Sequence, residues 1–304
     1  MEGPWDAEVL ERIRSLYLHA RQASAGVYLG ARRSIRSGHD VEFMDYKPYD
    51  AGDSLRDLDW RVLGRSDRLV VRRYRAETEL AVTLLFDASG DLGSTRVKFE
   101  TAVRLCATLA YLLHLGGDPV GLVIGGGEGV IARWIPPRAG RVHLGRLFVE
   151  LARVRPAGRA GLGNLFRDVG ARLGLRTLVA VVSDFMEEPA TWTPALSALV
   201  RNRVDLRAFQ VYDRAELGLR FDAPVRLHSP ETGAEIPVDP VAARGLLAAE
   251  AESFFAEVRS AVLARRGRYL PVPAGDDLAP LIARFVAGEG QAASLGAAGG
   301  LERR

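Results

Sequence analysis

A segment of almost entirely apolar residues that ends in a polar cluster is the strongest constraint on how this chain folds. Leu80–Phe86 lacks the alternation of apolar and polar residues that a strand with one solvent face shows. Asp87-Ala88-Ser89-Gly90-Asp91 follows it directly. This pattern is typical of a strand that is buried on both faces of a parallel sheet and ends at a polar edge.

Predicted strands and helices alternate along the rest of the chain. Further strands are predicted at 68–74, 120–124, 130–134, 178–182, 205–212 and 269–272. Helices are predicted at 5–22, 96–115, 141–153, 164–173, 192–201, 241–265 and 277–286. Pro136 and Pro137 are expected to end the strand that begins at Val130. An irregular hairpin region is expected at about 215–238.

This order of elements predicts an α/β fold with a doubly wound, mainly parallel sheet and right-handed crossovers. The N-terminal helix and a β-rich clasp are expected within residues 1–78, and the α/β domain within residues 79–287. Residues 288–304 are rich in Gly and Ala and are expected to be disordered.

Composition and termini favour a cytoplasmic protein. The 41 basic residues nearly balance the 38 acidic ones, and all are Arg except Lys47 and Lys98, a bias that genomic base composition can produce. The N-terminus does not read as a signal peptide, and no apolar run is long enough to span a membrane. The single cysteine, Cys106, excludes an internal disulfide and fits an apolar helix face.

Four polar side chains at predicted strand ends form the first candidate site. Asp87, Ser89 and Asp91 follow one buried strand, and Asp184 follows another. Because the carboxyl ends of parallel strands share one edge, these oxygens can converge on a hard cation such as Mg²⁺. The alternative is that they cap the following helices and satisfy loop amides.

This arrangement resembles the metal-ion-dependent adhesion site of von Willebrand factor A domains. That pattern reads Asp-x-Ser-x-Ser, with a Thr on a second loop and an Asp on a third; Asp87, Ser89 and Asp184 match it. Asp91 stands at the second Ser, and Gly163 at the Thr. The extra carboxylate of Asp91 could strengthen cation binding, or the site could persist without a metal as hydrogen-bonded loops; both interpretations stay open.

A second resemblance, over roughly residues 30–275, is to the domain of unknown function 58 family. Its signature has Glu-Phe followed by Arg-x-Tyr-x-x-Gly-Asp-Asp-x-Arg-x-Ile-Asp-Trp, although Lys47 stands at the first Arg. Val211–Leu217 and Ser229–Gly233 resemble later motifs of the family. The matching residues of the signature are Glu42, Phe43, Tyr49, Gly52, Asp53, Arg56, Asp59 and Trp60.

The mixed charges of this signature segment (Glu42–Trp60) favour a salt-bridged clasp that holds the N-terminal residues to the sheet. Trp60 would be its buried anchor. The alternative is a surface that faces a partner.

The resemblance implies a non-enzymatic protein that binds other proteins. Similar proteins are linked with MoxR-type AAA+ ATPases and with protein assembly or maturation. The alternative is a metal-dependent hydrolase using Asp87, Asp91 and Asp184, but no His is placed as a general base. The glycine run Gly125–Gly129 lacks the Gly-Lys-Ser/Thr ending of a phosphate-binding loop, and the alternating arginines of Arg65–Arg75 fit a solvated strand better than a nucleic-acid surface.

Overall fold

A six-stranded sheet forms the centre of the protein. The computed structural model describes residues 7–31, 43–49, 59–66, 69–74, 81–174, 177–200, 204–215, 225–228, 235–238 and 240–286. The strands of the sheet are β3 (Val82–Asp87), β4 (Val120–Gly125), β5 (Ile131–Arg138), β6 (Leu178–Ser183), β7 (Asp205–Tyr212) and β10 (Arg268–Pro273). The predicted tail, 288–304, lies outside the described residues.

The strand order is β10-β7-β6-β3-β4-β5, and every neighbouring pair is parallel except β4 and the edge strand β5. The chain moves from β3 to one side through β4 and β5, and then returns to build the other side from β6, β7 and β10. The predicted doubly wound, mainly parallel sheet is therefore confirmed. The order reverses beside β3, which is where open α/β sheets place their ligands.

Helices pack on both faces of the sheet. The helices of the described residues are α1 (Ala7–Ala31), α2 (Trp60–Ser66), α3 (Arg96–Gly116), α4 (Arg141–Arg153), α5 (Leu162–Gly170), α6 (Pro189–Val200), α7 (Pro240–Leu263) and α8 (Leu278–Val286), and all except α2 contribute residues to the two cores of the sheet. Leu84 and Phe86 of β3 share a core with α1, α3, α4 and α8, whereas Leu85 points into a second core with α5, α6 and α7. Because β3 is buried on both faces, its run of apolar residues is explained.

The N-terminal helix is part of the first of these cores. Leu16 and Ala20 of α1 are buried there, and α1 contacts α3, α4 and α8. The helix is longer than the predicted 5–22 and ends at Ala31. Within the described ranges, no helix combines the length and hydropathy that crossing a membrane would require.

The prediction that Pro136 and Pro137 end the fifth strand is wrong. β5 continues to Arg138, and Arg138 still pairs with Val120 of β4. Proline lacks an N–H group, so it disrupts a strand that is paired on both sides; β5 lies at the edge of the sheet and pairs on one side only.

The described part of the signature segment forms a small antiparallel unit. β1 (Phe43–Pro48) pairs with β2 (Val70–Tyr74), and α2 lies between them in sequence. The Tyr49 N–H donates to the Leu69 carbonyl, and the Asp59 N–H donates to the Val70 carbonyl. Farther along, β8 (Val225–His228) and β9 (Glu235–Val238) form the hairpin expected at 215–238.

Asp59 is the signature residue with a defined local role. It is buried, and its Oδ1 accepts a hydrogen bond of 3.3 Å from the Val62 N–H in the first turn of α2. Glu42, Gly52, Asp53 and Arg56 lie outside the described residues, and only the backbone of Phe43 and Trp60 is described. The Trp60 anchor therefore stays a prediction.

Loss of this cap should destabilise the protein. Asp59→Ala is expected to lower the free energy of unfolding by roughly 1 kcal/mol, because the Val62 N–H loses its carboxylate acceptor and keeps only the Asp59 carbonyl. Asp59→Asn keeps an acceptor oxygen and should lose much less. Urea denaturation measures both variants; equal losses would show that the cap is not the source of the stability.

Candidate functional site

Asp87 and Asp184 lie side by side at the carboxyl edge of the sheet. Asp87 ends β3, Asp184 directly follows β6, and these two strands are parallel neighbours, as predicted. Both side chains are buried. Asp87 Oδ1 accepts a hydrogen bond from the Ser89 N–H at 3.0 Å, and its Oδ2 accepts one from the Ser183 hydroxyl at 2.7 Å.

Burial disfavours the charged form of Asp87. Burial, and to a smaller extent the nearby negative charge of Asp184, raise the pKa of Asp87 to about 7. The hydrogen bonds from Ser183 and Ser89 act in the opposite direction.

A buried hydrogen-bond network holds the Asp184 loop. Asp184 Oδ1 accepts from the Met186 N–H at 3.1 Å, and its carbonyl accepts from Gln210 Nε2 at 2.9 Å. Gln210 in turn accepts from the Tyr269 hydroxyl at 2.6 Å. Phe185 has a φ of +56°, an unfavourable value for a bulky residue, and its ring packs on Trp192. Gln210 of β7 and Tyr269 of β10 therefore hold the backbone that carries the Asp184 carboxylate.

Lys98 is the site residue that the sequence prediction missed. It lies in the first turn of α3, and its Nζ is 2.8 Å from Asp184 Oδ2. Both side chains are only 2% exposed. Nζ also donates to the Asp91 carbonyl at 2.9 Å and lies 3.4 Å from Ser94 Oγ.

The sequence contained a signal for this residue. Lys98 is one of two lysines in a chain whose other basic residues are arginines, and it stands at helical spacing with Ala102 and Leu105. All three are buried. A lysine on an apolar helix face needs a buried partner, and the pattern therefore pointed to an ion pair.

The remaining candidate ligands are brought together only in part. Ser89 is fully buried close to the Asp87 carboxylate, but its hydroxyl makes no hydrogen bond of good geometry. Asp91 begins a short 3₁₀ turn and offers its backbone carbonyl to Lys98. In the part of the chain that the structure describes, no three His, Cys, Asp or Glu residues are grouped so as to hold a metal ion.

Gly163 stands where the adhesion-site pattern has a Thr. It is buried at the start of α5, where this helix packs tightly on α6. A Cβ atom added there would lie 2.8 Å from the Thr191 carbonyl oxygen. The Leu162 N–H is capped by Glu187 Oε2 at 2.9 Å, so the loop after β6 also fixes this helix end. Together with the Lys98 ammonium, this leaves a set of side chains that does not fit a divalent cation.

The loops at this edge form one strand-end rim, residues 88–95, 126–130, 154–161 and 184–188. Backbone hydrogen bonds join the first three loops. The Gly90 N–H donates to the Gly158 carbonyl, and the Glu128 N–H donates to the Arg159 carbonyl. Gly129 has a φ of +74°, and a Cβ atom there would lie 1.9 Å from the Gly161 carbonyl oxygen. The glycine run is therefore a turn, and glycine lets its backbone touch the next loop.

A cleft of about 540 Å³ opens on this rim. Three glutamates and one arginine give it a net negative charge, and Asp87, Asp91 and Asp184 are not among its lining residues. It is lined by Glu128, Arg159, Ala160, Gly161, Asn164, Met186, Glu187, Glu188 and Thr191.

The strand order and the antiparallel edge strand define a von Willebrand factor A-like domain. Residues 45–252, more than half of the chain, match the family described as "Protein of unknown function DUF58", and the protein belongs to that family.

Sequence relatives cover nearly the whole chain. Uncharacterized protein Rv1480 of Mycobacterium tuberculosis is 28% identical over 299 residues, which are 96% of this chain and 93% of that protein. Uncharacterized protein Mb1516 of Mycobacterium bovis gives the same figures.

Solved structures resemble the chain more distantly. BatB from Bacteroides thetaiotaomicron is 14% identical with a TM-score of 0.42, covering 69% of this chain and 98% of that one. The SpRpn10 VWA domain is 12% identical with a TM-score of 0.37, covering 70% and 98%.

The packing at Gly163 can be tested with two helical glycines. Gly163→Ala should lower the free energy of unfolding by roughly 1–3 kcal/mol, because the new methyl group meets the Thr191 carbonyl. At Gly145 of α4 an added Cβ meets no atom within 4 Å, so Gly145→Ala should instead stabilise the protein by about 0.5–1 kcal/mol. A neutral effect of Gly163→Ala in urea denaturation would contradict the close helix contact.

The raised pKa of Asp87 predicts a pH dependence of stability. The native protein holds this proton more tightly than the unfolded chain, so stability should fall as the pH rises from the ordinary value of 3.8 to about 7, and then level off. The contribution is at most about 1.4 kcal/mol per pH unit. Urea denaturation between pH 5 and pH 8 measures the slope, which should be smaller in Asp87→Asn. Equal slopes in the two proteins would show that Asp87 does not titrate in this window.

Proposed function

We propose that this protein is a non-catalytic adaptor that binds a basic segment of a partner protein at its strand-end rim. The observation that carries the proposal is the acidic cleft lined by Glu128, Glu187 and Glu188. A cleft with a net negative charge favours an Arg or Lys side chain and steers its approach.

The two outer glutamates are available for such a contact. Glu128 and Glu188 are exposed, whereas Glu187 already caps α5 and accepts a hydrogen bond from Thr191. Met186, 54% exposed, also lines the cleft. An apolar side chain beside carboxylates suits the aliphatic stem and charged head of Lys or Arg.

A MoxR-type AAA+ ATPase is the candidate partner, and assembly or maturation of other proteins is the candidate process. Both come from the resemblance to the domain of unknown function 58 family. The contribution of this chain would be a rigid docking surface, because backbone hydrogen bonds join three of the rim loops and the Glu187 side chain links the fourth to the start of α5.

The hydrolase alternative lacks comparable support. Asp87 and Asp184 are 3% and 2% exposed, which leaves a substrate little access to their carboxylates. The cleft beside them is lined by other residues, and Asp184 is already paired with Lys98. The acidic cleft is exposed, whereas Asp87 and Asp184 are buried beside it. A binding surface explains this arrangement better than a catalytic site does.

The experiment measures binding of the purified protein to the MoxR-type ATPase of the same organism at low and high salt. The double variant Glu128→Gln/Glu188→Gln should bind roughly threefold to tenfold more weakly at low salt, because each exposed charge pair contributes about 0.3–0.7 kcal/mol. The difference should shrink at high salt.

Glu257→Gln is the matched control, since Glu257 is exposed on α7 and does not line the cleft. It should bind like the parent protein. Undiminished binding by the double variant would move the docking surface away from the rim, and attention would turn to the signature segment.

A further inference from the structure

We infer that Lys98 is the resident cation of the strand-end site, where its ammonium group balances the charge that a divalent metal balances in the adhesion site of von Willebrand factor A domains. The inference stands on the placement of this side chain against the carboxylate of Asp184. It agrees with the absence at Gly163 of the Thr ligand that the adhesion-site pattern has.

The ammonium lies among oxygen atoms of its own chain. A lysine carries three N–H donors, and Lys98 Nζ has three oxygen neighbours, Asp184 Oδ2 at 2.8 Å, the Asp91 carbonyl at 2.9 Å and Ser94 Oγ at 3.4 Å. The Asp184 carboxylate supplies the opposite charge as an ion pair, although its Oδ2 accepts no hydrogen bond of good geometry, and Nζ donates hydrogen bonds to the other two oxygens. Three oxygens gathered around one buried positive charge are what a small cation site provides.

Helix electrostatics alone would not select a cation at this position. Lys98 is in the first turn of α3, three residues after the capping Thr95, whose Oγ1 accepts from the Lys98 N–H. The N-terminus of a helix carries a partial positive charge that disfavours cations. The compensating group is Asp184, so the lysine is explained by the site and not by the helix.

The same contacts place a positive charge where a metal would need its ligands. Asp184 is paired with Lys98, and Asp91 turns its backbone carbonyl to the same ammonium. Gly163 cannot be replaced by a ligating Thr without meeting the Thr191 carbonyl. A divalent ion would have to displace a covalently attached cation whose side chain is 2% exposed.

A consequence for docking rests on the proposed function. If a partner binds at the rim, its binding should not depend on a metal, because a chelator cannot remove an ammonium group that belongs to the chain. This distinguishes the rim from an adhesion site, in which the metal itself accepts a carboxylate from the partner.

The first test uses the full-length protein alone. Its melting temperature should be the same in EDTA and in millimolar MgCl₂ or MnCl₂, and calorimetric titration with either salt should give no saturable heat. A saturable rise in melting temperature that is lost in Asp184→Asn would overturn the inference.

The second test is a double-mutant cycle on the pair. Lys98→Met should lower the melting temperature by roughly 5–15 °C, since it leaves Asp184 buried and unpaired. Adding Asp184→Asn should recover part of that loss, whereas additive losses would show that the ammonium does not balance this carboxylate. Arg96→Met, which removes an exposed cation from the same helix turn, is the control and should change little.

The parent measurement decides the question even if Lys98→Met does not fold. None of these measurements involves a partner. Failure of the ATPase to bind would therefore overturn the proposed function and leave this inference unaffected. Stabilisation of the parent protein by a metal would overturn this inference and leave the proposed function unaffected.

Discussion

The burial of two neighbouring carboxylates at the end of β3 and β6 is the constraint on which the rest of the site depends. A buried charge is tolerated only when it is paired or neutralised, and this protein uses both solutions. Asp184 is paired with Lys98, and Asp87 has a pKa raised to about 7 by burial and by the charge of Asp184. One ammonium therefore balances one carboxylate, while the second carboxyl group exchanges its proton near neutral pH.

This solution also positions the surface above it. The Asp184 loop is held by Gln210, and the same loop supplies Glu187, which caps α5. The glycine-rich turn after β4 touches the loop before α5 through backbone atoms. The exposed acidic groups of the rim therefore stand on a rigid support, and a rigid support reduces the entropy that a partner's docking must overcome.

The parts of this structure that could be predicted from sequence are those governed by local periodicity and by strand direction. The apolar run before Asp87 gave a strand buried on both faces, and parallel direction then placed Asp87 beside Asp184. Lys98 was missed because its partner lies far along the chain, and helical spacing alone does not say what a buried lysine faces. The cleft was missed for the same reason, because Glu128 and Glu188 come from loops after different strands. The prolines of β5 were misjudged because sequence alone does not reveal that a strand lies at an edge.

If Lys98 takes the place of a metal as we infer, the kind of partner that this edge of the fold can bind also changes. A metal with an open coordination position attracts a carboxylate, and recognition then takes place at the cation itself. The Lys98 side chain is 2% exposed and its ammonium lies among oxygens of its own chain, so a partner has little access to it. With the interior cation inaccessible, the exposed charges of the cleft are those of Glu128 and Glu188, opposed by Arg159, and the partner group that we propose is therefore basic and not acidic. In the proposed function, a partner binds the loops around the strand ends and not the strand ends themselves.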